Sequence, residues 1–198
     1  IGFINKGVKL NKKFNPTHKI KTLKSKIYID SKNSKKKLTN KYLPFGSKVE
    51  LLKKNKNFIM FEKNKWIKIK DICSVSTKNN NFTKIFRMFL NCPYKWGGKT
   101  FEGIDCSALV QIYYKYNNKF FPRDTIDQIK QKKGLRIKKK FNKGDIIFWK
   151  GHVAICIDTN KLIHAYGPKK KVIIMPIQKT IKRIEKTAKL GIKKIFKI

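Results

Sequence analysis

Acidic residues are scarce in this chain: 11 Asp and Glu stand against 50 Lys and Arg in 198 residues. The formal net charge is +39, and the isoelectric point lies near 10.3. So basic a surface attracts anions, and nucleic-acid binding is the first function class it raises. Against that, the excess lies in Lys far more than Arg and comes with Asn, Ile and Phe, the residues of A/T-rich codons. The lysines are dispersed along the whole chain, and the interleaved aromatics of stacking platforms are lacking. Compositional bias accounts for the charge, and no specific nucleic-acid partner is expected. Four cysteines, at positions 73, 92, 106 and 156, contain no CxxC pair and show no regular framework. No apolar run approaches the ~18 residues of a membrane-spanning helix. The chain begins with Ile and shows no charged-then-apolar leader, so a fragment or a processed chain is expected, and the missing leader carries little weight.

At 40% hydrophobic, 198 residues allow one domain of ordinary size plus a small one. Residues 1–15 read as the closing strand of a small β-domain cut off upstream, with Pro16 and Thr17 as punctuation. Residues 16–76 read as short strands near 20–30, 43–54, 57–64 and 65–71, separated by Gly or Asn turns. In the last of these, Trp66, Lys68 and Lys70 alternate with Ile67 and Ile69, unless Trp66 marks a hinge. Close spacing of that kind suggests a small all-β barrel. The polar run STKNNN marks a boundary, leaving residues 77–198 as a second domain. There FTKIFRMFLN puts Phe82, Ile85, Phe86, Phe89 and Leu90 on one helix face, ended at Cys92 by Pro93. A loop at Pro122 leads to a short helix stopped at Gly134. Four strand candidates follow at 145–150, 152–157, 161–166 and 172–175, and residues 181–198 are expected to add a short helix or strand over the sheet edge. Cys156, inside the apolar run HVAICI, reads as a small core residue. Helices first and an antiparallel sheet second is an α+β order.

Chemistry concentrates in residues 94–114, YKWGGKTFEGIDCSALVQIYY. Gly97, Gly98 and Gly103 break regular structure before Cys106. After it, Leu109, Ile112, Tyr113 and Tyr116 recur at three-and-four spacing, an amphipathic helix. Cys106 therefore stands at a helix start, where free N–H groups favour thiolate over thiol. Alone it is equally well read as a buried structural cysteine. Of only three histidines, His152 opens a β-branched run and His164 follows in another strand. A Cys at a helix start followed by two strand histidines has the parts of a cysteine hydrolase. In order come YKWGG, DCSALVQ, PRD followed by Gln128, GDIIFW, GHVAI and IHA. Over roughly residues 82–184 this set resembles the NlpC/P60 family of papain-like cell-wall peptidases.

That resemblance implies a papain-like fold, with the nucleophile helix packed on an antiparallel sheet. It gives Cys106 the nucleophile's role, His152 that of general base and then acid, and His164 that of orienting the His152 ring. The Tyr94 hydroxyl and the Cys106 N–H would bind the oxyanion. Trp96 is read as packing. Asp105, with help from Ser107 and Thr125, would bind the ammonium of a free N-terminal L-alanine; the simpler reading of Asp105 is a helix N-cap. Ala108 stands where the family usually has Gly, a methyl group expected to tighten the pocket. Residues 16–76 are similar to bacterial SH3 domains. The implied function is hydrolysis of the γ-D-glutamyl–diamino acid bond in peptidoglycan stem peptides, with no cofactor. The alternatives left open are hydrolysis of intact wall, a silent wall-binding module, a catalytic zinc held by Cys106, His152 and His164, and, last, a basic nucleic-acid-binding protein. A bacterial protein is implied, with the cytoplasm favoured and the envelope or secretion left open.

Overall fold

The structure is a computed structural model that describes residues 14–31, 35–131, 133–135 and 140–198. The expected tail at residues 1–15 lies outside them, apart from its last two residues. The first half is all-β: β1 (His18–Ile20), β2 (Lys24–Asp30), β3 (Lys36–Pro44), β4 (Lys48–Val49), β5 (Lys53–Lys54), β6 (Phe58–Glu62), β7 (Lys65–Lys68) and β8 (Ile72–Ser74). Ile20, Ile27, Val49, Ile59, Ile67 and Ile72 close into one small core. The strand read at 20–30 is split, because after Ile20 the chain leaves one sheet for another. The Lys21 amide bonds the Asp71 carbonyl, and β2 begins only at Lys24. Among the described residues the ladders form two sheets, β4-β1-β8 and β3-β2-β7-β6-β5, and not a closed barrel. Both faces of β7 are covered. Ile67 enters the core, while Trp66 lies under the Lys36 ammonium and donates from its indole nitrogen to Asp30.

The second half opens with α1 (Phe82–Met88), capped by the Asn81 side chain on the Lys84 amide. Ile85, Phe86 and Phe89 are buried as expected, but Leu90 falls past the helix end and is exposed. A two-strand ribbon, β9 (Lys99–Thr100) and β10 (Gly103–Ile104), leads into α2 (Cys106–Tyr116). Gly98 and Gly103 are required there: a Cβ on Gly98 would come within 2.3 Å of the Gly103 carbonyl oxygen. Next, α3 covers only Thr125–Gln128, short of the expected stop at Gly134, since beyond Ile129 the run KQKK offers no apolar face. Then come β11 (Asp145–Trp149), β12 (His152–Cys156), β13 (Lys161–Tyr166), β14 (Lys171–Pro176), α4 (Ile177–Ala188) and β15 (Lys194–Lys197). The C-terminal segment supplies both a helix and a strand, β15 pairing with β11 in the antiparallel order β14-β13-β12-β11-β15.

One face of this sheet, with Val153, Ile155, Ile163 and Ala165, packs against Leu109 and Val110 of α2. The other, with Trp149, Ala154, Cys156 and Leu162, is closed by Ile177 and Ile184 of α4. Lys150 and Gly151 make the two-residue turn between β11 and β12, Gly151 with φ +74, and this places His152 opposite Trp149. The two halves share packing: Phe45 belongs to the α2 core and stacks on Tyr116 at 4.5 Å. Buried Lys19 donates to the Tyr116 carbonyl at 2.5 Å, a cation at a helix C-terminus.

Candidate active site

The loop from Tyr94 to Asp105 sets the start of α2. Ile104 bonds back to Pro93 and Lys95, and Asp105, in an extended conformation, caps the helix by accepting from the Ala108 amide at 2.8 Å. Cys106 is thus the first helical residue, 6% exposed. Backbone N–H groups of Val153, Ser107 and Cys106 itself favour negative charge on its sulfur, and Val153 follows His152 in the chain. These donors favour the thiolate, but burial outweighs them and lifts the thiol to about 11, with the Asp105 charge adding to the rise. The helix start is as expected, and desolvation opposes the thiolate that its N–H groups favour.

His152 and His164 are in contact, His152 Nε2 to His164 Nδ1 at 2.9 Å. Tyr166 stacks on His164 with centroids 4.5 Å apart, and His164 Nε2 lies 3.4 Å from the Met175 sulfur. Burial drops His152 to about 4 and His164 well below its usual value, so both rings are neutral near pH 7. With Nε2 of His152 engaged by His164, Nδ1 is the ring nitrogen left for another partner, and the amide of the next residue, Val153, favours negative charge on the Cys106 sulfur. Burial pushes the Tyr94 phenol up, and the Cys106 and Asp105 charges add to the rise.

A cleft of about 280 Å³ is lined by Asp105, Cys106, Ser107 and Thr125, together with Trp96 and Arg123. Four of the expected site residues therefore share one cavity. The Trp96 reading is corrected: the ring is 82% exposed at the cleft and is not packing. Arg123 carries the larger surprise. Its guanidinium grips Asp105 with Nη1 on Oδ1 at 3.0 Å and Nη2 on Oδ2 at 2.5 Å, and Nη1 also donates to Ser107 Oγ at 2.8 Å. Asp105 accepts from the Gly97 amide and from Ser107 Oγ as well. Gln128, fully buried, ties the Ser107 and Pro122 carbonyls together through its Nε2. The signal for Arg123 lay in composition. In a chain that uses Lys almost everywhere, an Arg near Cys106 marks a two-point grip on a carboxylate. Ala108 lines a neighbouring groove with Phe45 and Tyr116 and does not line this cleft. Among the described residues no group of three His, Cys, Asp or Glu is arranged to hold a metal ion.

The model of the NlpC/P60 family matches residues 91–188. That segment is an NlpC/P60 domain. The γ-D-glutamyl-L-lysine dipeptidyl-peptidase of Bacillus subtilis (strain 168) is 34% identical over 101 residues, 47% of this chain and 34% of that protein. Dipeptidyl-peptidase 6 of Lysinibacillus sphaericus is 36% identical over 81 residues, 39% of this chain and 28% of its own length. The chain thus matches only about a third of these curated relatives. In fold, an NlpC/P60 family protein from Bacillus cereus ATCC 10987 aligns with a TM-score of 0.68 over 82% of this chain and 58% of that one, at 24% identity. That likeness shows the α+β fold and reaches beyond the matched segment into the β-rich half. Within the NlpC/P60 domain, Cys106 stands at the start of the helix that packs on the sheet, and the two histidines stand on adjacent strands of that sheet.

Proposed function

We propose that the chain is a cysteine peptidase that hydrolyses the γ-D-glutamyl–diamino acid bond of peptidoglycan stem peptides. The observation that carries the reading is the His152–His164 hydrogen bond on adjacent strands of the sheet against which the helix begun by Cys106 packs. In this reading His152 acts as the general base. Its Nδ1 takes the thiol proton as sulfur attacks the amide carbon, and returns it to the leaving amine. The Cys106 N–H and the Tyr94 hydroxyl face the developing oxyanion. Water then hydrolyses the thioester. Residues 77–198 form the catalytic unit, and residues 16–76 act as an SH3-like module. The bond assigned follows the relatives named as γ-D-glutamyl-L-lysine dipeptidyl-peptidases.

Two readings of the substrate differ at Asp105. In the first, a free N-terminal L-alanine docks its ammonium on this carboxylate, helped by Ser107 and Thr125, after Arg123 swings aside. In the second, Arg123 stays and stem peptides still attached to the wall are also cleaved. The bidentate Arg123–Asp105 pair favours the second, since a carboxylate offers about four acceptor sites and five donors already occupy them. The test is a panel of L-Ala-γ-D-Glu-diamino acid peptides, free or N-acetylated, with fragments read by mass. Cleavage at the γ-glutamyl bond that disappears in Cys106→Ala is the expected result. Activity that survives Cys106→Ala but not a chelator would replace this mechanism with the zinc reading.

A further inference from the structure

Behind the two histidines stands a thioether, and we propose that Met175 is the positioning residue that fixes the proton on the correct nitrogen of both rings. The inference rests on reading Cys106, His152 and His164 as the reacting set. An Asp in third place only accepts hydrogen bonds and so sets its histidine partner's tautomer directly. A His in third place can donate or accept at either nitrogen, and its own proton must be ordered from elsewhere. Among the described residues no carboxylate hydrogen-bonds either ring; their polar partners are each other and Met175.

Thioether sulfur carries no hydrogen and can only accept. At 3.4 Å from His164 Nε2 it selects the tautomer with the proton on that nitrogen. In a neutral ring, His164 Nδ1 is then a bare lone pair, and across 2.9 Å it accepts from His152 Nε2. His152 therefore holds its single proton on Nε2 and offers a lone pair at Nδ1, the state a general base needs. When the thiol is deprotonated, its proton moves from sulfur to His152 Nδ1. The Nε2–H bond to His164 stays in place, and no proton passes further. In the opposite order His164 would hold its proton on Nδ1, His152 on its own Nδ1, and the thiol would face a donor. The fold keeps the relay straight: Leu162 lies opposite Met175 and Ile173 opposite His164, so Met175 is a diagonal neighbour across β13 and β14. The Tyr166 ring, 11° from parallel, fixes the plane of His164.

The experiment uses the 15N-labelled 198-residue chain, whose three histidines make ring-nitrogen spectra tractable. In the resting wild type, Nε2 of both His152 and His164 should be the protonated nitrogen at neutral pH. Met175→Leu keeps the volume and removes the acceptor; it should mix the tautomers and lower kcat/KM about five- to tenfold, the worth of one net hydrogen bond. A wild-type spectrum with the proton on His152 Nδ1 overturns the proposal whatever the variant does. So does a Met175→Leu spectrum with wild-type tautomers. These spectra need no turnover. A chain with the expected tautomers and no peptide cleavage would sink the peptidase reading and leave this inference standing.

Discussion

At Cys106 two effects oppose each other. The first turn of α2 and the Val153 amide favour negative charge on sulfur, and burial under the cleft loops opposes it. The thiol rises to about 11 because a buried ion loses more hydration than three backbone donors return. Alkylation of Cys106 by iodoacetamide in the unliganded protein should therefore be slow at pH 7. It should climb about tenfold per pH unit up to pH 9, since only the thiolate reacts. Peptide mapping by mass would check this, and a rate already flat at pH 6–7 would reveal a resting thiolate–imidazolium pair instead. His152 has a matching signature in stability. Its folded value near 4 lies below the ordinary 6.5, so the unfolded chain binds the extra proton between those values. The associated stability is complete above about pH 6.5 and is lost as pH falls through about 4. Thermal midpoints across that window should fall with pH, and less so in His152→Phe. Arg123 completes the residue scale. Arg123→Ala leaves Asp105 buried and without its guanidinium, so if the carboxylate is an ammonium seat, the variant should prefer free over N-acetylated peptide by about tenfold or more. An unchanged ratio would mean that Asp105 serves only the helix.

At the scale of elements, the caps carry a separable prediction. Asp105→Asn retains an acceptor for the Ala108 amide, while Asp105→Ala loses the cap and strands Arg123. Ala should therefore cost about 1–3 kcal/mol more than Asn in urea unfolding. Much of this was legible beforehand, for definite reasons. The helix from Cys106 formed as its three-and-four spacing implies, though Val110 and Tyr114 are buried where Ile112 and Tyr113 are only half-buried, and β13 ran from Lys161 to Tyr166 as read. The break between β1 and β2 was not legible, since Leu23 and Lys24 look like strand residues and only the Asp71 carbonyl, far along the chain, turns the backbone there. The Lys-rich run after Ile129 hid the end of α3 in a similar way. In the site, residue types and order pointed to Cys106, His152 and His164, but the Arg123–Asp105 grip depends on where a loop returns in space. Trp96 was misread because a Trp in a sequence looks like core, and only the cleft shows it facing solvent.

The whole molecule is held by a junction that sequence boundaries would not suggest. The polar run before Phe82 looks like a linker, yet it is tied down: the Asn79 amide donates to the Asn117 side chain, and Asn118 donates to the Val75 carbonyl. Phe45 leaves the β-rich half to sit in the core of the other, 5% exposed, stacked on Tyr116 and edge-on to Phe89. Lys19, 1% exposed, reaches from β1 to the last carbonyl of α2 and lies 4.2 Å over the Tyr116 ring. Its ammonium is partly desolvated there, which lowers its pKa, and the helix end and the ring face compensate. A junction made of a shared aromatic core and a buried cation should not open before either half melts. Calorimetry of the full chain should thus give one transition, with calorimetric and van't Hoff enthalpies in agreement. Phe45→Ala removes the aromatic wedge and should cost about 3–5 kcal/mol while splitting that transition in two, the β-rich half melting first. The same variant should lower peptide cleavage, because α2 carries Cys106 at one end and rests on Phe45 at the other. Two well-separated transitions in the wild type would instead mean that the halves are tethered neighbours and that the β-rich half has no part in holding α2.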